Sequence, residues 1–229
     1  MQNLNKWLLV TLLLGALGCA RPPREGPAAP AGTAAGPVTP SPPSEAAPAV
    51  PPPLEGKHVV MIIAHQDFRD EELQEPRKLL EEQGAKVAVA SSSMEPAEGM
   101  LGARVLPDVL VEDVRVTDFD AVVFVGGKGA TEYWNDRQAH RIAREALQNG
   151  KVVAAICLAP VTLANAGVLK GKKATVWESE SSKLQAQGAH YTGAAVEIDG
   201  PIITGNGPEA AKEFGEAIAA ALGKPPAGP

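Results

Sequence analysis

Three stretches of this chain are apolar almost without a break: His58 to Ala64 (HVVMIIA), Asp120 to Val125 running into Gly126-Gly127, and Val152 to Cys157. A strand with one wet face alternates apolar and polar side chains. These do not, so each is read as a strand buried on both faces. Lys86 to Ala90 is a further strand and Lys173 to Val176 a short one, while Ala195 to Thr204 forms strands around an Asp199-Gly200 turn. Gly102 to Val114, interrupted by Pro107, reads as an irregular strand pair or a loop. Helical segments fall between them: around Pro76 to Gln83 with Gly84 as its stop, Thr131 to Gln148 closed by Gly150, a helix opened by Pro160 and ended by Gly167, Ser181 to Gln187, and Pro208 to Leu222. Buried strands alternating with helices predict an α/β fold, a mostly parallel sheet covered on both sides. Ligands of such sheets gather at the carboxyl ends of the strands. Cys157, Gly126-Gly127 and the loop from His65 to Glu72 all lie there.

The ends of the chain read differently. Met1 to Cys19 has Lys6 as a positive start, an apolar core from Trp7 to Leu17, and the small pair Gly18-Cys19. That is the pattern of a secretion signal, and its apolar part is too short for a membrane span. A cysteine directly after the cleavage point resembles the bacterial lipoprotein signal, although Ala16 stands where leucine is usual. The resemblance implies that Cys19 carries lipid and that the protein sits in the bacterial cell envelope, facing the periplasm. Ala20 in the next position leans toward the outer membrane. Residues 20–54 are rich in Pro, Ala, Gly, Ser and Thr with no hydrophobic period. Such a segment buries too little apolar surface to offset its ordering entropy, and is expected to be a mobile tether. One domain over 55–223 and a short tail over 224–229 remain. The net charge of −6 offers no basic patch, so nucleic acid is excluded as a partner. With two cysteines in all and Cys19 assigned to lipid, no internal disulfide is expected.

Cys157 carries the chemical interest. It closes a strand, and Pro160 marks a helix start just beyond it. Exposed N–H groups and the positive end of a helix there favour thiolate over thiol. The arrangement is that of a nucleophile elbow. The plainer alternative is a small buried residue at a strand end. A reactive thiol also needs oxyanion donors and a proton carrier. Backbone N–H groups of Gly127 and Leu158 are candidates for the first, since a Gly-Gly pair lets backbone approach a ligand closely; a simple tight turn is the alternative. For the second, His65 follows the first strand, and Glu72 closes the run Asp70-Glu71-Glu72. A lone histidine is more often structural, and acids at a helix start are usually a solvated cap. Like-charge neighbours would discourage ionisation of one of the three and suit it to proton sharing. His140 and His190 read as surface residues, and no spaced Cys/His cluster indicates a metal.

From about Lys57 to Leu222 the chain resembles the ThiJ/PfpI superfamily. The resemblance is carried by Asp67-Phe68-Arg69-Asp70-Glu71-Glu72-Leu73 with Pro76, DAVVFVGG at 120–127, AAICLAP at 154–160, AGVLKGKKA at 166–174, and ITGNGP at 203–208 with Phe214. It implies a flavodoxin-like three-layer sandwich of the class I glutamine amidotransferase type, often homodimeric. By position, Cys157 matches the reactive cysteine, Glu72 the glutamate that hydrogen-bonds it, and Gly127 and Leu158 the oxyanion-hole positions. Gly126, His65 and Trp177 are the candidate pocket residues. Peptidase-like members have histidine where this chain has Leu158, and Trp177 falls where others have histidine or tyrosine. Arg69 replaces an acid found in some members. The pocket near Trp177 is therefore expected to be more apolar than usual. The resemblance implies cofactor-free glyoxalase or deglycase chemistry on a small reactive carbonyl or a glycated protein, in stress protection. A non-catalytic oxidation sensor or binding protein of the envelope is the alternative, and a cysteine peptidase the third reading.

Overall fold

The computed structural model describes residues 53–223. The leader, Cys19, nearly all of the proposed tether and the tail lie outside the described residues. Leu54, assigned to the tether, belongs to the core instead. It is fully buried, and its N–H donates to the Gln83 carbonyl at 2.9 Å.

In chain order the strands are β1 (His58–Ile62), β2 (Gln66–Phe68), β3 (Lys86–Ser91), β4 (Ala97–Gly99), β5 (Arg104–Val105), β6 (Val109–Leu110), β7 (Ala121–Phe124), β8 (Val152–Ile156), β9 (Lys173–Ala174), β10 (His190–Tyr191), β11 (Val196–Asp199) and β12 (Ile202–Gly205). The helices are α1 (Asp70–Glu82), α2 (Arg137–Gln148), α3 (Pro160–Asn165), α4 (Ser181–Ala186) and α5 (Ala211–Leu222). Seven strands form the central sheet in the order β11-β12-β8-β7-β1-β3-β6, parallel except for the β11–β12 hairpin. This is the flavodoxin-like layering expected.

The unbroken apolar runs explain the layers. Along β1, Val59 and Met61, with Ile63 just beyond its end, pack toward α1 and α5 beside Leu73, Leu80, Phe214 and Ile218. Val60 and Ile62 face the other way, toward Ile142 and Ala143 of α2 and Val161 and Leu163 of α3. The period-2 alternation of a strand thus feeds two cores at once. Strand order reverses beside β1: the chain runs outward through β3 and β6, then returns to β7 on the other side. A crevice at such a switch point is where this architecture places its ligands.

Two elements differ from the sequence reading. Residues 128–133 wind as 3-10 turns, and α2 begins only at Arg137, because the Asp136 carboxylate accepts the Ala139 N–H at 2.7 Å and caps the helix there. A small separate sheet, β2-β4-β5, was not anticipated. Its strands have two or three residues each, too short to show a period.

Candidate active site

Cys157 follows β8 with φ 61°, one of two non-glycine residues at positive φ among the described residues. A side chain in that region costs on the order of 1–2 kcal/mol and persists only where the surroundings enforce it. Here they do. The Cys157 N–H donates to the Gly205 carbonyl, and the Cys157 carbonyl accepts from the Trp177 N–H, both at 2.9 Å. The next carbonyl, that of Leu158, accepts the Trp134 indole N–H at 2.9 Å. Pro160 opens α3 directly afterwards. The sequence expectation of a strand–turn–helix elbow is met, and the thiol is nearly buried, at 7% exposure.

Gly126 and Gly127 are more than a tight turn. A Cβ on Gly126 would collide with Glu72 Oε2, the Cys157 Cβ and the Ile156 carbonyl. Gly127, at φ 101°, lies against the backbone of Asp67, Phe68 and Arg69. Only glycine lets these three segments close on one another. The backbone N–H groups of Gly127 and Leu158 both act on the Cys157 sulfur and favour its thiolate.

Glu72 is the largest departure from the sequence reading. It is fully buried rather than a solvated cap. Its Oε2 accepts the Gly126 N–H at 3.1 Å, and its Oε1 is buried with no hydrogen-bond partner. Burial raises the carboxyl to about 8; the neighbouring Glu71, invoked above as the cause, adds only a minor push. The acid is mostly protonated at neutral pH. The expectation of a helix-stabilised thiolate is also corrected. Burial first, then the charge of Glu72, pushes the Cys157 thiol up to about 12, against the opposing effect of the two N–H groups. At neutral pH the pair therefore rests as thiol and carboxylic acid. A nucleophilic sulfur forms only when Glu72 can take its proton.

The three consecutive acids have three different fates. Asp70 is also buried, and its carboxylate accepts the Leu101 N–H at 2.9 Å and the Ala103 N–H at 2.7 Å. That clamp holds the 99–103 loop, whose Met100 forms one wall of the site. Glu71 stays half-exposed and pairs with Arg69 Nε at 2.9 Å.

Cys157 opens into a pocket of about 290 Å³ lined by Arg69, Met100, Gly127, Lys128, Leu158, Trp177 and Pro208. Trp177 is there as anticipated, and Met100, Leu158 and Pro208 make its surroundings apolar. Gly126 stands behind the thiol as the partner of Glu72 rather than in the wall. His65 is not among the lining residues; its loop packs beside the 128–133 turns, where a Cβ on Gly129 would strike the Gln66 carbonyl. Arg69, Lys128, Met100 and Pro208 were not among the candidate pocket residues. Lys128 follows the Gly-Gly pair directly and Pro208 ends the ITGNGP motif, so both were within reach of the sequence, whereas nothing local marks Met100. Beyond Trp177 and Pro208, which belong to both walls, lies a second cleft of about 810 Å³ with Glu178, Tyr191, Asn206 and Glu209 in its lining.

Known proteins resemble this chain over the same domain. An uncharacterized protein of Methanocaldococcus jannaschii is 42% identical over 75% of this chain and 85% of its own length. A Pyrococcus abyssi protein named a deglycase is 33% identical over 65% of the chain and 90% of its own. A Caenorhabditis elegans protein named a glutathione-independent glyoxalase is 28% identical over 74% and 90%. The crystal structure of a ThiJ/PfpI domain protein from Brachyspira murdochii superposes with a TM-score of 0.71 at 35% identity, covering 73% of this chain and 98% of that one. The family model described as DJ-1/PfpI matches residues 57–221, which spans every element from β1 to α5, and the chain belongs to the DJ-1/PfpI family.

Proposed function

We propose that this protein is a cofactor-independent enzyme in which Cys157 attacks a reactive carbonyl, in the manner of a glyoxalase or deglycase. The observation that carries the reading is the strained Cys157 held between the N–H groups of Gly127 and Leu158, with a buried, proton-holding Glu72 behind it. The sulfur–carbon bond forms as the carbonyl pair moves onto oxygen. The two N–H groups hold that oxyanion, and the thiol proton reaches it by way of Glu72. With a 1,2-dicarbonyl such as methylglyoxal, Glu72 then moves the hydrogen of the sulfur-bearing carbon to the neighbouring carbon as a proton. The result is a thioester, and water releases a 2-hydroxy acid. The net change is dicarbonyl plus water to hydroxy acid, with no outside oxidant or reductant. An adduct on a protein amine would require cleavage of its carbon–nitrogen bond as well, the amine leaving with a proton. Turnover of methylglyoxal to lactate by the wild type, lost in Cys157→Ala, is the expected result. Equal turnover by the two proteins would sink the proposal.

A second reading, an oxidation sensor, is favoured by the unpartnered Oε1 of a protonated Glu72. One peroxide takes the thiolate to sulfenic acid and a second to sulfinic acid, each releasing water, and a carboxylic acid at that place can donate to the sulfinate. Intact mass after graded peroxide tests it: a selective gain of two oxygens on Cys157 supports it, and indiscriminate oxidation removes it. A peptidase is the weakest of the three, because no imidazole lines the pocket. The leader sequence supports action at the bacterial envelope, with Cys19 acylated. Labelled palmitate should enter the wild type and not Cys19→Ser.

A further inference from the structure

The lining of the Cys157 pocket carries charge of one sign. Apart from the thiol, its ionisable side chains are Arg69 and Lys128. The acid whose charge acts on the sulfur, Glu72, does not offset them at neutral pH, because burial keeps it mostly protonated. Glu71 partly balances Arg69 from outside the pocket. Lys128 is exposed and forms no ion pair among the described residues. On the far side of Trp177 and Pro208 the sign reverses: Glu178 and Glu209 line the larger cleft, and among the described residues no cation does. A ligand reaching the sulfur therefore meets a positive pocket bounded by a negative neighbour, with apolar Met100, Leu158 and Trp177 in the wall around it. Two cations flanking one small pocket attract an anion that enters it.

We propose that the Cys157 pocket selects carbonyl compounds bearing a carboxylate or phosphate, with Arg69 and Lys128 as the residues that set this preference. The anionic group lies toward the two cations while the electrophilic carbon faces the sulfur. The carbonyl half of this statement rests on the function proposed above; the charge preference does not.

Iodoacetate and iodoacetamide separate the two. Both alkylate a thiolate with loss of iodide, and they differ chiefly in charge. Their rate ratio at one pH cancels the thiolate fraction, so the thiol's own acidity drops out. The full-length protein is treated with each, and modification is read at the Cys157 peptide by mass spectrometry, with N-acetylcysteine as the free-thiol reference. The iodoacetate-to-iodoacetamide ratio is expected to exceed the reference by about tenfold. Lys128→Gln and Arg69→Gln should each lower it about threefold, and about 0.5 M NaCl should compress it. Lys128 is exposed, so its variant keeps the test intact if Arg69→Gln folds poorly. A ratio equal to the reference, unmoved by Lys128→Gln, overturns the charge preference and leaves the proposed reaction standing. Failure of both reagents to modify Cys157 in the folded protein overturns both. Methylglyoxal turnover without a raised ratio would show a working enzyme indifferent to charge.

Discussion

Cys157 and Glu72 stand on either side of Gly126, and local sequence prepares them in opposite ways. The cysteine sits at the end of an unbroken apolar strand with a proline three residues on, and that pattern points to an elbow. The glutamate sits in a run of three acids at a helix start, which by local rules belongs in water. Yet Glu72 is fully buried and Cys157 is 7% exposed. The difference lies in what supplies the constraint. The elbow is marked by its neighbours in the chain and then held from across the fold by Gly205, Trp177 and Trp134, whereas nothing local marks the burial of Glu72, which is made by β7 and β8 arriving with Gly126 and Cys157. Asp70 and Glu72 both lose water, but Asp70 gains two N–H donors and Glu72 gains one and keeps an orphaned oxygen. Burial with full compensation builds structure. Burial with partial compensation leaves a group ready to exchange a proton.

The strongest way to break this contrast is Gly126→Ala. The added methyl would meet Glu72, the Cys157 Cβ and the Ile156 carbonyl, and a forced shift there should cost about 3 kcal/mol of stability. Chemical denaturation should show the loss, together with a fall in Cys157 alkylation. Tolerance of alanine would mean that the two segments are not in fact pressed together.

Glu72→Gln sharpens the contrast through pH. The folded-state pKa of Glu72 is raised, to about 8. Its contribution to stability is therefore complete below the unfolded carboxyl range near 4.5 and is lost as pH rises through 8. Wild-type melting temperature should fall from about pH 5 to about pH 9, and the glutamine variant should lack that component of the slope. Alkylation of Cys157 should rise with pH in both proteins as the thiolate fraction grows, but only the wild-type profile should bend near pH 8, where Glu72 ionises. Parallel pH profiles would remove Glu72 from the proton path.

Asp70→Ala should cost less, about 2 kcal/mol, by orphaning the Leu101 and Ala103 N–H groups. Amide exchange should quicken locally in the 99–103 loop, and the Met100 wall should loosen while the elbow stays protected. Glu71→Gln should be the smallest effect, within about 0.5 kcal/mol, because a half-exposed pair with Arg69 contributes little. A large loss there would contradict the division of labour among the three acids.

Much of the fold was legible because its cause is repeated. The strands β1, β7 and β8 are apolar on both faces, and no other architecture buries both faces of several such strands between helices. The elements that escaped are those whose cause is not periodic. The β2-β4-β5 sheet is built from very short pieces, and Met100 enters the site only because Asp70 ties down its loop. Within the site, Cys157, Gly127, Leu158 and Trp177 could be named from local pattern and resemblance, but the resting protonation of the pair could not. Burial dominates both shifts, and the sequence suggested helix dipole and like-charge effects in its place.

The sequence by itself determined the parallel sheet and marked the place of the elbow and its nucleophile candidate, because apolar runs, proline and glycine act on the chain within a few residues of where they stand. Only the tertiary structure decided that Glu72 would lose its water, that Asp70 would become a clamp, and that Arg69 and Lys128 would face one pocket while Glu178 and Glu209 lined the next. Desolvation and charge complementarity are properties of what surrounds a group. At this carboxyl end of the sheet the surroundings come from residues as far apart in the chain as Arg69, Lys128, Trp177 and Glu209.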